Sequence, residues 1–410
     1  MALRLSRLSE PLAFLMLLNL FAVTDRMVFG ALAPALQASL RLDDVGLAMV
    51  QGPAFGVPYA LALPFAGWLV DAVGLRRVLV GSVLVWTAGL LVSASAGSLA
   101  MLVVGRGITA VGQSALTPAA FALIVRLAPP GTAGRSLALF TSAGAVGRSF
   151  AFVAGGAFLA VFAGSGVEPW SGTLAMLAVI TLLLLIVGGR RIPAEPRAAA
   201  RAGNYAMLWR WLRDHRTDVA LAVTAALGTV VIAQALAAWI AVILVRTQGT
   251  APAAAAVAIG VVGLIAGPGG QFLGGALADG AVLRGRGQPL AMLLCIPAAL
   301  AFVAAPSLVV ALIALAATLI LSGVGGAVGL VRVQRLIPDA VRGSANGLFM
   351  MLVALVGISG GPLLVPILGG AGGGVGGGVG GGLVLLVGLA AGLSAVAVML
   401  GDRRPAVVAA

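Results

Sequence analysis

The sequence predicts an all-helical, polytopic membrane protein in which twelve spanning helices form two bundles of six. Three observations lead to this fold class. Apolar residues make up 61% of the 410 residues and charged residues only 9%, far below the roughly 25% typical of soluble domains. Membrane-length apolar runs recur along the whole chain, and short polar motifs occur twice, once in each half. With a mean hydropathy of +1.14, the composition excludes an ordinary soluble protein.

A helix needs about 20 apolar residues to cross a bilayer, and the chain supplies six such runs in each half. In the first half we predict spans at 11–36, 44–70, 76–96, 98–125, 136–162 and 169–188. In the second half we predict spans at 218–245, 252–278, 288–305, 307–331, 343–368 and 382–400. These runs divide the chain into an N-terminal bundle (1–188), a linker (189–217) and a C-terminal bundle (218–410).

The arginines predict the orientation of the spans. All 25 basic residues are arginine; with both termini inside, twenty fall in cytoplasmic segments and only Arg41 and Arg246 in periplasmic ones. This asymmetry follows the positive-inside rule, so we expect both termini to be cytoplasmic. The use of arginine alone, with abundant alanine and glycine, is typical of a GC-rich bacterial genome, so we expect the protein in a bacterial inner membrane. The asymmetry also accounts for the net charge of +13 without a nucleic-acid partner.

Two connecting segments have a distinctive composition. Aromatic and basic residues alternate over 205–216, as in an interfacial amphipathic helix. We interpret it as a tether between the bundles, with a site for an anionic lipid or a partner as the alternative. The glycine-rich segment 369–382 predicts a flexible periplasmic connector.

The loop between the second and third runs reads Gly67-Trp-Leu-Val-Asp71-Ala-Val-Gly74-Leu-Arg76-Arg77. Gly74 can supply the positive φ of a tight reversal. Arg76 and Arg77 would keep that reversal on the cytoplasmic side.

This loop is repeated in the second half. Gly275-Ala-Leu-Ala-Asp279 matches it 208 positions later, and Arg126-Leu-Ala-Pro129 is matched by Arg335-Leu-Ile-Pro338 at an offset of 209. Two pairs of motifs at nearly one offset indicate a duplication.

Charged residues within spans are costly, so they are candidates for function. Asp25 and Arg26 lie in the first run, Arg106 in the fourth and Arg148 in the fifth, giving a local charge of about +2 if all are ionised. Gln113 is seven residues after Arg106 and shares its helix face. A water-filled cavity with this excess favours an anionic group, because arginine forks suit carboxylate or phosphate. The alternative is an ion-pair network that only fixes helix packing.

The second half offers neutral groups within its spans, chiefly Gln234 and Trp239. The chain has few residues of the types that act in catalysis, since it contains a single cysteine, Cys295, and a single histidine, His215. We find no metal cluster, phosphate loop or nucleophile with an available histidine in the sequence. We therefore predict no catalytic residues, no metal and no bound cofactor.

The repeated loop and the two six-span halves resemble the major facilitator superfamily of transporters, whose members contain nested repeats. In that family the loop locks a cytoplasmic gate. The resemblance implies a gate role for the residues Gly67, Asp71, Gly74, Arg76, Arg77 and Asp279. Ala72 and Leu75 stand where basic residues are common, which implies a weaker lock.

Within the superfamily, Asp25-Arg26 with Pro34 resembles the first helix of Spinster-like and anion:cation symporter-like members. Gly105-Arg106-Gly107-Ile-Thr-Ala-Val-Gly112 resembles the arginine motif of the fourth helix. Spinster-like proteins often continue with an acid, whereas Gln113 cannot titrate. If protons drive transport, Asp25 would have to couple them alone.

We therefore expect a monomeric secondary transporter that works by alternating access and is driven by a proton gradient. Asp25 would stay ionised beside an arginine and take a proton when that partner is lost. The predicted substrate is a small organic anion or an amphipathic, lipid-like molecule, and membrane lipids are the other expected partner. The candidate substrate-binding residues are Arg26, Arg106, Gln113, Arg148, Gln234 and Trp239.

Three alternatives remain open from the sequence. The first is multidrug-type efflux of amphipathic or cationic compounds, in which Asp25 would bind the cation. The second is a membrane sensor that binds ligand without transport and signals through 189–217. The third is a passive lipid facilitator.

Overall fold

In the computed structural model, residues 2–129, 132–193, 205–279, 287–371 and 378–403 are described, and all regular structure among them is helical. The first half contains α1 (Ala2–Leu40), α2 (Asp44–Gln51), α3 (Pro53–Val73), α4 (Leu75–Ala94), α5 (Leu99–Ser114), α6 (Leu116–Leu127), α7 (Ala133–Phe162) and α8 (Pro169–Gly188). The remainder contains α9 (Tyr205–Asp214), α10 (Arg216–Gln248), α11 (Pro252–Asp279), α12 (Gly287–Val303), α13 (Leu308–Leu336), α14 (Arg342–Leu352), α15 (Gly361–Ala371) and α16 (Val379–Asp402).

The predicted fold class is confirmed. Eleven helical stretches of the described chain are long and apolar enough to cross a membrane, and α12 is a shorter apolar helix in the position of the remaining predicted span. Several helices exceed their apolar runs: α1 begins at Ala2 and α10 ends at Gln248. The residues added at these two ends include charged and polar ones, such as Arg4, Glu10 and Arg246, so an apolar run alone does not mark where the helix begins or ends.

Three spans are interrupted, which the apolar runs did not reveal. The second span breaks at Gly52, followed by Pro53 at the start of α3. The fourth breaks at Ala115, three residues before Pro118. Between α14 and α15 the eleventh span continues as a π-helix, Val353–Gly360. Proline removes a backbone donor and clashes with the preceding turn, which explains the first two breaks.

The helices form two compact units, Met1–Arg201 with Pro252–Gly260, and Ala202–Ala251 with Val261–Ala410. Within the first unit, α1 and α7 pack closely through glycines. A Cβ on Gly147 would lie 2.5 Å from the Leu20 carbonyl oxygen, and a Cβ on Gly144 would lie 2.9 Å from Asn19 Nδ2. Asn19 in turn donates to the Phe140 carbonyl at 2.8 Å. Both glycines therefore permit a close contact between helices, as small residues do at membrane helix interfaces.

The predicted flexible connector over 369–382 is wrong at both ends. α15 continues to Ala371 and α16 begins at Val379, so only 372–377 lies outside the described residues. A Cβ on Gly369 would collide with the Gly378 backbone, and one on Gly382 with the Val365 carbonyl oxygen. These glycines therefore allow two helices to cross closely, a contact that composition alone does not distinguish from a flexible linker.

The reversal between α3 and α4 is as predicted, with Gly74 at φ 99° and ψ 142°. Arg76 and Arg77 occupy the first turn of α4. Gly67 lies within α3, and Asp71 and Asp279 lie near the ends of α3 and α11, but the structure does not describe the surroundings of these three residues. The gate role of this motif stays a prediction.

The predicted amphipathic helix is present as α9, which belongs to the second unit. Its Leu208 is 3% exposed and lies in a cluster with Val333, Ile337 and Phe349. Residues 194–204 of the predicted tether are outside the described residues.

Candidate substrate and coupling site

The first helix brings a carboxyl group into the interior of the first unit. Asp25 is fully buried, and its Oδ2 accepts hydrogen bonds from Trp86 Nε1 at 2.6 Å and Thr181 Oγ1 at 3.5 Å. Its Oδ1 is buried without a hydrogen-bond partner among the described residues. α4 and α8 thus supply two donors to one oxygen and leave the other unbonded.

Arg106 on α5 is also buried, at 1% exposure. Its Nε donates to the Val50 carbonyl at 3.1 Å, in the last turn of α2 before the break at Gly52. Carbonyls in the last turn of a helix lack an intrahelical donor. Arg106 therefore supplies a donor to a carbonyl at the end of α2, where the second span is interrupted.

Two aromatic rings surround the same guanidinium. Arg106 Cζ lies 4.1 Å from the Phe29 ring centroid and 4.8 Å from that of Phe55, within the range of cation–π attraction. Its Nη1 is buried and unbonded in the described structure. Arg106 is thus held in place by a carbonyl and two rings, and it contributes positive charge from a site with almost no exposure.

Arg26 lies beside this cluster and is half-buried. Its Cζ is 5.9 Å from the Phe55 centroid, and Phe55 stacks on Tyr59 with centroids 5.5 Å apart. The Tyr59 hydroxyl lies near both the Arg26 guanidinium and Thr117. Arg26 Nε is buried with no described hydrogen-bond partner, which leaves a cation next to a phenol.

Arg148 differs from the other intramembrane charges because it is exposed. It follows Gly147, which packs against α1, and it is close enough to Arg26 for the two cations to repel. Of the three arginines, Arg148 is the most exposed.

Asp25 and Arg106 do not form a direct ion pair. The two are close enough to attract, yet no described arginine nitrogen lies within 4.0 Å of the Asp25 carboxylate. The carboxylate is instead bonded by neutral donors, and Arg106 by a neutral carbonyl. The charge excess of three arginines over one acid is therefore not neutralised by a direct ion pair.

The other predicted binding residues differ in exposure. Gln113 is 5% exposed and its Nε2 has no described hydrogen-bond partner. Gln234 is half-buried on α10, next to Gly361. Trp239 is fully buried and its Nε1 donates to the Pro362 carbonyl at 2.9 Å, so its indole has no surface free for a solute in this conformation.

Sequence reasoning missed the neutral partners of these charges. Trp86, Thr181, Phe29 and Phe55 contact the charged groups directly, and Tyr59 lies close to Arg26. The chain has only two tyrosines and six tryptophans, so a polar aromatic residue within a span was a signal that could have drawn attention to Tyr59 and Trp86.

The family model of the Major Facilitator Superfamily matches residues 15–361. The chain belongs to that superfamily. It is therefore a membrane transporter of the alternating-access fold and not an enzyme. The matched region begins in the first predicted span and ends within the eleventh.

Superfamily relatives with described activities are only moderately similar. An MFS-type efflux pump of Mycolicibacterium smegmatis is 26% identical over 84% of this chain and 80% of its own. A multidrug resistance protein B homolog of Mycobacterium tuberculosis is 40% identical, but over only 20% of this chain and 15% of its own length. A probable sulfoacetate transporter of Cupriavidus necator is 30% identical over 27% of this chain and 25% of its own.

Among solved structures, a bacterial homolog of the human lysosomal transporter Spinster, in an inward-facing and occupied conformation, gives a TM-score of 0.82. It is 20% identical and covers 98% of this chain and 99% of its own. At this identity the likeness shows a shared fold, and the substrate must be argued from the residues of this chain.

Proposed function

We propose that this transporter moves a small organic anion, or an amphipathic molecule with an anionic group, in a proton-coupled cycle. The observation that carries the proposal is the set of three arginines in the first unit accompanied by one buried acid. Arg148 is exposed, Arg26 is half-buried, and Arg106 adds positive charge from a buried position. An intramembrane excess of cations attracts an anion, because like charges in a low-dielectric site repel until one is neutralised.

The aromatic groups support a substrate that also has an apolar part. Phe55 and Tyr59 stack beside Arg26, so a carboxylate or sulfonate on Arg26 would lie next to a ring surface. Pockets of this kind combine apolar walls with a few placed polar groups. The sulfoacetate transporter among the relatives is consistent with an organic anion, although its match covers a minority of the chain.

Asp25 is the proposed coupling group. It is the only acid of the sequence in the middle of a predicted span, and its unbonded Oδ1 is a place for a proton. Protonation would remove a buried charge, whose burial without a partner is costly. Release of that proton would then accompany a rearrangement of the donors from α4 and α8.

The experiment is charge movement by purified protein in liposomes on a solid-supported membrane at two pH values. The panel contains short sulfonates and carboxylates, aromatic carboxylates, lysophospholipids and cationic drugs. We expect a pH-dependent transient current with one class of anion. Arg148→Gln should lower the apparent affinity for that anion about ten- to a hundredfold, since a charge-assisted hydrogen bond contributes roughly 1.5–3 kcal/mol. Arg135→Gln, an exposed arginine of the same helix α7, is the matched control.

Multidrug-type efflux is the second candidate, because several relatives carry efflux or multidrug-resistance names. In that case Asp25 would bind the cation and the arginines would stabilise the bundle. Currents from cationic drugs with silence for every anion would select this candidate. The same result would contradict anion transport.

A further inference from the structure

Tyr59 places a phenol hydroxyl in the interior of the first unit, among the charged residues of the candidate site. It lies on α3, which begins at Pro53 after the interruption at Gly52, and it is half-buried. Tyrosine combines an apolar ring with a polar tip, and its hydroxyl finds a hydrogen-bond partner when the side chain is buried. The neighbours of this hydroxyl therefore indicate what it does beside the charges.

The Tyr59 hydroxyl has two polar neighbours, one from α6 and one from α1. It is hydrogen-bonded to the side chain of Thr117, in the first turn of α6, and it lies near the Arg26 guanidinium. A hydroxyl can donate one hydrogen bond and accept two, so the bond with Thr117 leaves capacity for a further partner. Thr117 and Arg26 are half-buried like Tyr59. The three polar groups therefore lie in a partly open part of the unit.

The Tyr59 ring is held by Phe55. The two rings are nearly parallel, at 20°, with centroids 5.5 Å apart. Phe55 is fully buried, and its centroid lies 5.9 Å from Arg26 Cζ and 4.8 Å from Arg106 Cζ. One ring pair therefore supports the phenol and borders both cations. A group bound by Arg26 and the Tyr59 hydroxyl would have an apolar surface beside it.

The cations around this ring pair have donors that lack an acceptor. Arg26 Nε and Arg106 Nη1 are buried without a hydrogen-bond partner among the described residues. Asp25 does not supply the acceptor, since no described arginine nitrogen lies within 4.0 Å of its carboxylate. A buried donor without an acceptor costs free energy. A ligand that brings several acceptor oxygens, such as a carboxylate or a sulfonate, would satisfy these donors.

We propose that Tyr59 determines specificity at the proposed transport site by donating a hydrogen bond from its hydroxyl to the anionic group that Arg26 binds. This inference rests on the proposed anion transport. Thr117 is a positioning residue, because its bond with the hydroxyl sets the direction of the phenol. The Tyr59 ring contacts the part of the substrate next to the anionic group, so the site favours anions that carry an apolar group.

The experiment measures the apparent affinity and the maximal transient current of purified protein in liposomes for two pairs of anions. The pairs are methanesulfonate with benzenesulfonate, and succinate with phenylsuccinate. Tyr59→Phe should weaken all four about tenfold and keep the maximal current, because it removes a hydrogen bond to a charged group and leaves the ring. Tyr59→Leu removes the ring as well and should weaken the aromatic member of each pair further.

Two further variants separate positioning from packing. Thr117→Val should weaken the four anions about threefold, since the phenol loses its orienting partner, and Thr117→Ser should keep the wild-type affinities. Tyr205→Phe is the matched control, because it removes the hydroxyl of the other tyrosine of the chain, at the start of α9 in the second unit. It should leave the affinities and the maximal current unchanged.

The outcomes distinguish this inference from the proposed function. Wild-type currents with unchanged affinities in Tyr59→Phe would overturn the role of the hydroxyl and leave anion transport standing. A lower maximal current at unchanged affinity would show that Tyr59 has only a structural role. Wild-type protein that moves other anions but none of these four would overturn the preference for apolar anions. Protein that moves no anion at all would contradict the proposed function as well.

Discussion

At the scale of single residues, the hydrogen bond between Trp86 and Asp25 is the most informative contact of the first unit. Both side chains are fully buried and the donor–acceptor distance is 2.6 Å. A buried carboxylate depends on its donors, because an unpaired charge in an apolar interior is costly. Trp86 is therefore a positioning residue for the proposed coupling group.

Trp86→Phe keeps most of the ring and removes the donor. We expect it to lower the free energy of unfolding by roughly 1.5–3 kcal/mol, the contribution of a hydrogen bond to a charged group. The same change made on top of Asp25→Asn should cost less, because the carboxylate is already gone. The measurement is a double-mutant cycle by steric trapping in bicelles. If Trp86→Phe lowers the free energy of unfolding equally in both backgrounds, the hydrogen bond to Asp25 contributes no stability.

Asp25→Asn also has a functional prediction. The amide cannot exchange a proton, so accumulation driven by a pH gradient should be lost while exchange of labelled for unlabelled solute persists. Liposome uptake with and without the gradient measures the difference. Asp214→Asn, an exposed acid of α9, is the control and should keep accumulation. Accumulation that survives in Asp25→Asn would exclude Asp25 as the coupling group.

The sequence predicted the charged residues of the site but not their partners. Asp25, Arg26, Arg106 and Arg148 stand out because a charge within an apolar run is rare. Their contacts with Trp86, the Val50 carbonyl and two phenylalanine rings depend on which helices become neighbours. Hydropathy cannot determine those neighbours, since it treats every apolar helix alike. It also could not separate exposed Arg148 from buried Arg106.

At the scale of helices, glycines set the spacing of α1 and α7. A Cβ at Gly147 would lie 2.5 Å from a backbone oxygen of Leu20, which has little freedom to move. The first helix, with Asp25 and Arg26, is thereby held against the helix that carries Arg148. Helix spacing and the arrangement of charges are thus coupled.

Gly147→Ala should force α1 and α7 apart and destabilise the protein by roughly 1–3 kcal/mol, as overpacking does. Gly134→Ala in the same helix is the matched control, because a Cβ added there would meet nothing within 4 Å. Thermal unfolding in detergent compares the two. Similar midpoints for both variants would contradict the close contact.

Helix interruptions show the limit of reasoning from composition at this scale. Pro53 and Pro118 were visible in the sequence, but the breaks fall before them, at Gly52 and Ala115. The π-helix Val353–Gly360 had no hydropathy signal. The glycine-rich stretch resembled a linker because Gly369 and Gly382 are equally suited to flexibility and to close packing.

At the scale of the whole molecule, the twelve-span fold was predictable from the apolar runs and the repeated loop. The Gly-x-Leu-x-Asp motif lies at the end of the second span of each half, in α3 and in α11. The Arg-Leu-x-Pro motif follows the fourth span of each half, at the ends of α6 and α13. Each motif therefore occupies the same place in both halves. Orientation is a separate matter. It rests on the arginine distribution and remains a prediction.

The buried Cys295 provides a clean background for testing that orientation, since it is 0% exposed and is the only cysteine of the chain. Two exposed positions are suited to single cysteine substitutions. Ser165 lies in the α7–α8 loop, and Arg77 lies in the first turn of α4. In intact cells, an impermeant maleimide should label Ser165→Cys, while Arg77→Cys should react only after permeabilisation. The reverse pattern would invert the predicted topology, and labelling of the unmodified chain would contradict the burial of Cys295.

The contacts of Asp25 also bear on how the chain is made. Its two donors follow it by 61 and 156 residues, on α4 and α8. A ribosome that delivers the chain from its N-terminus presents the first helix to the translocon before either donor has been synthesised. The first helix therefore meets the membrane while Asp25 has neither of its hydrogen-bond donors. Asp25 gains these donors only when α4 and α8 have been inserted beside the first helix.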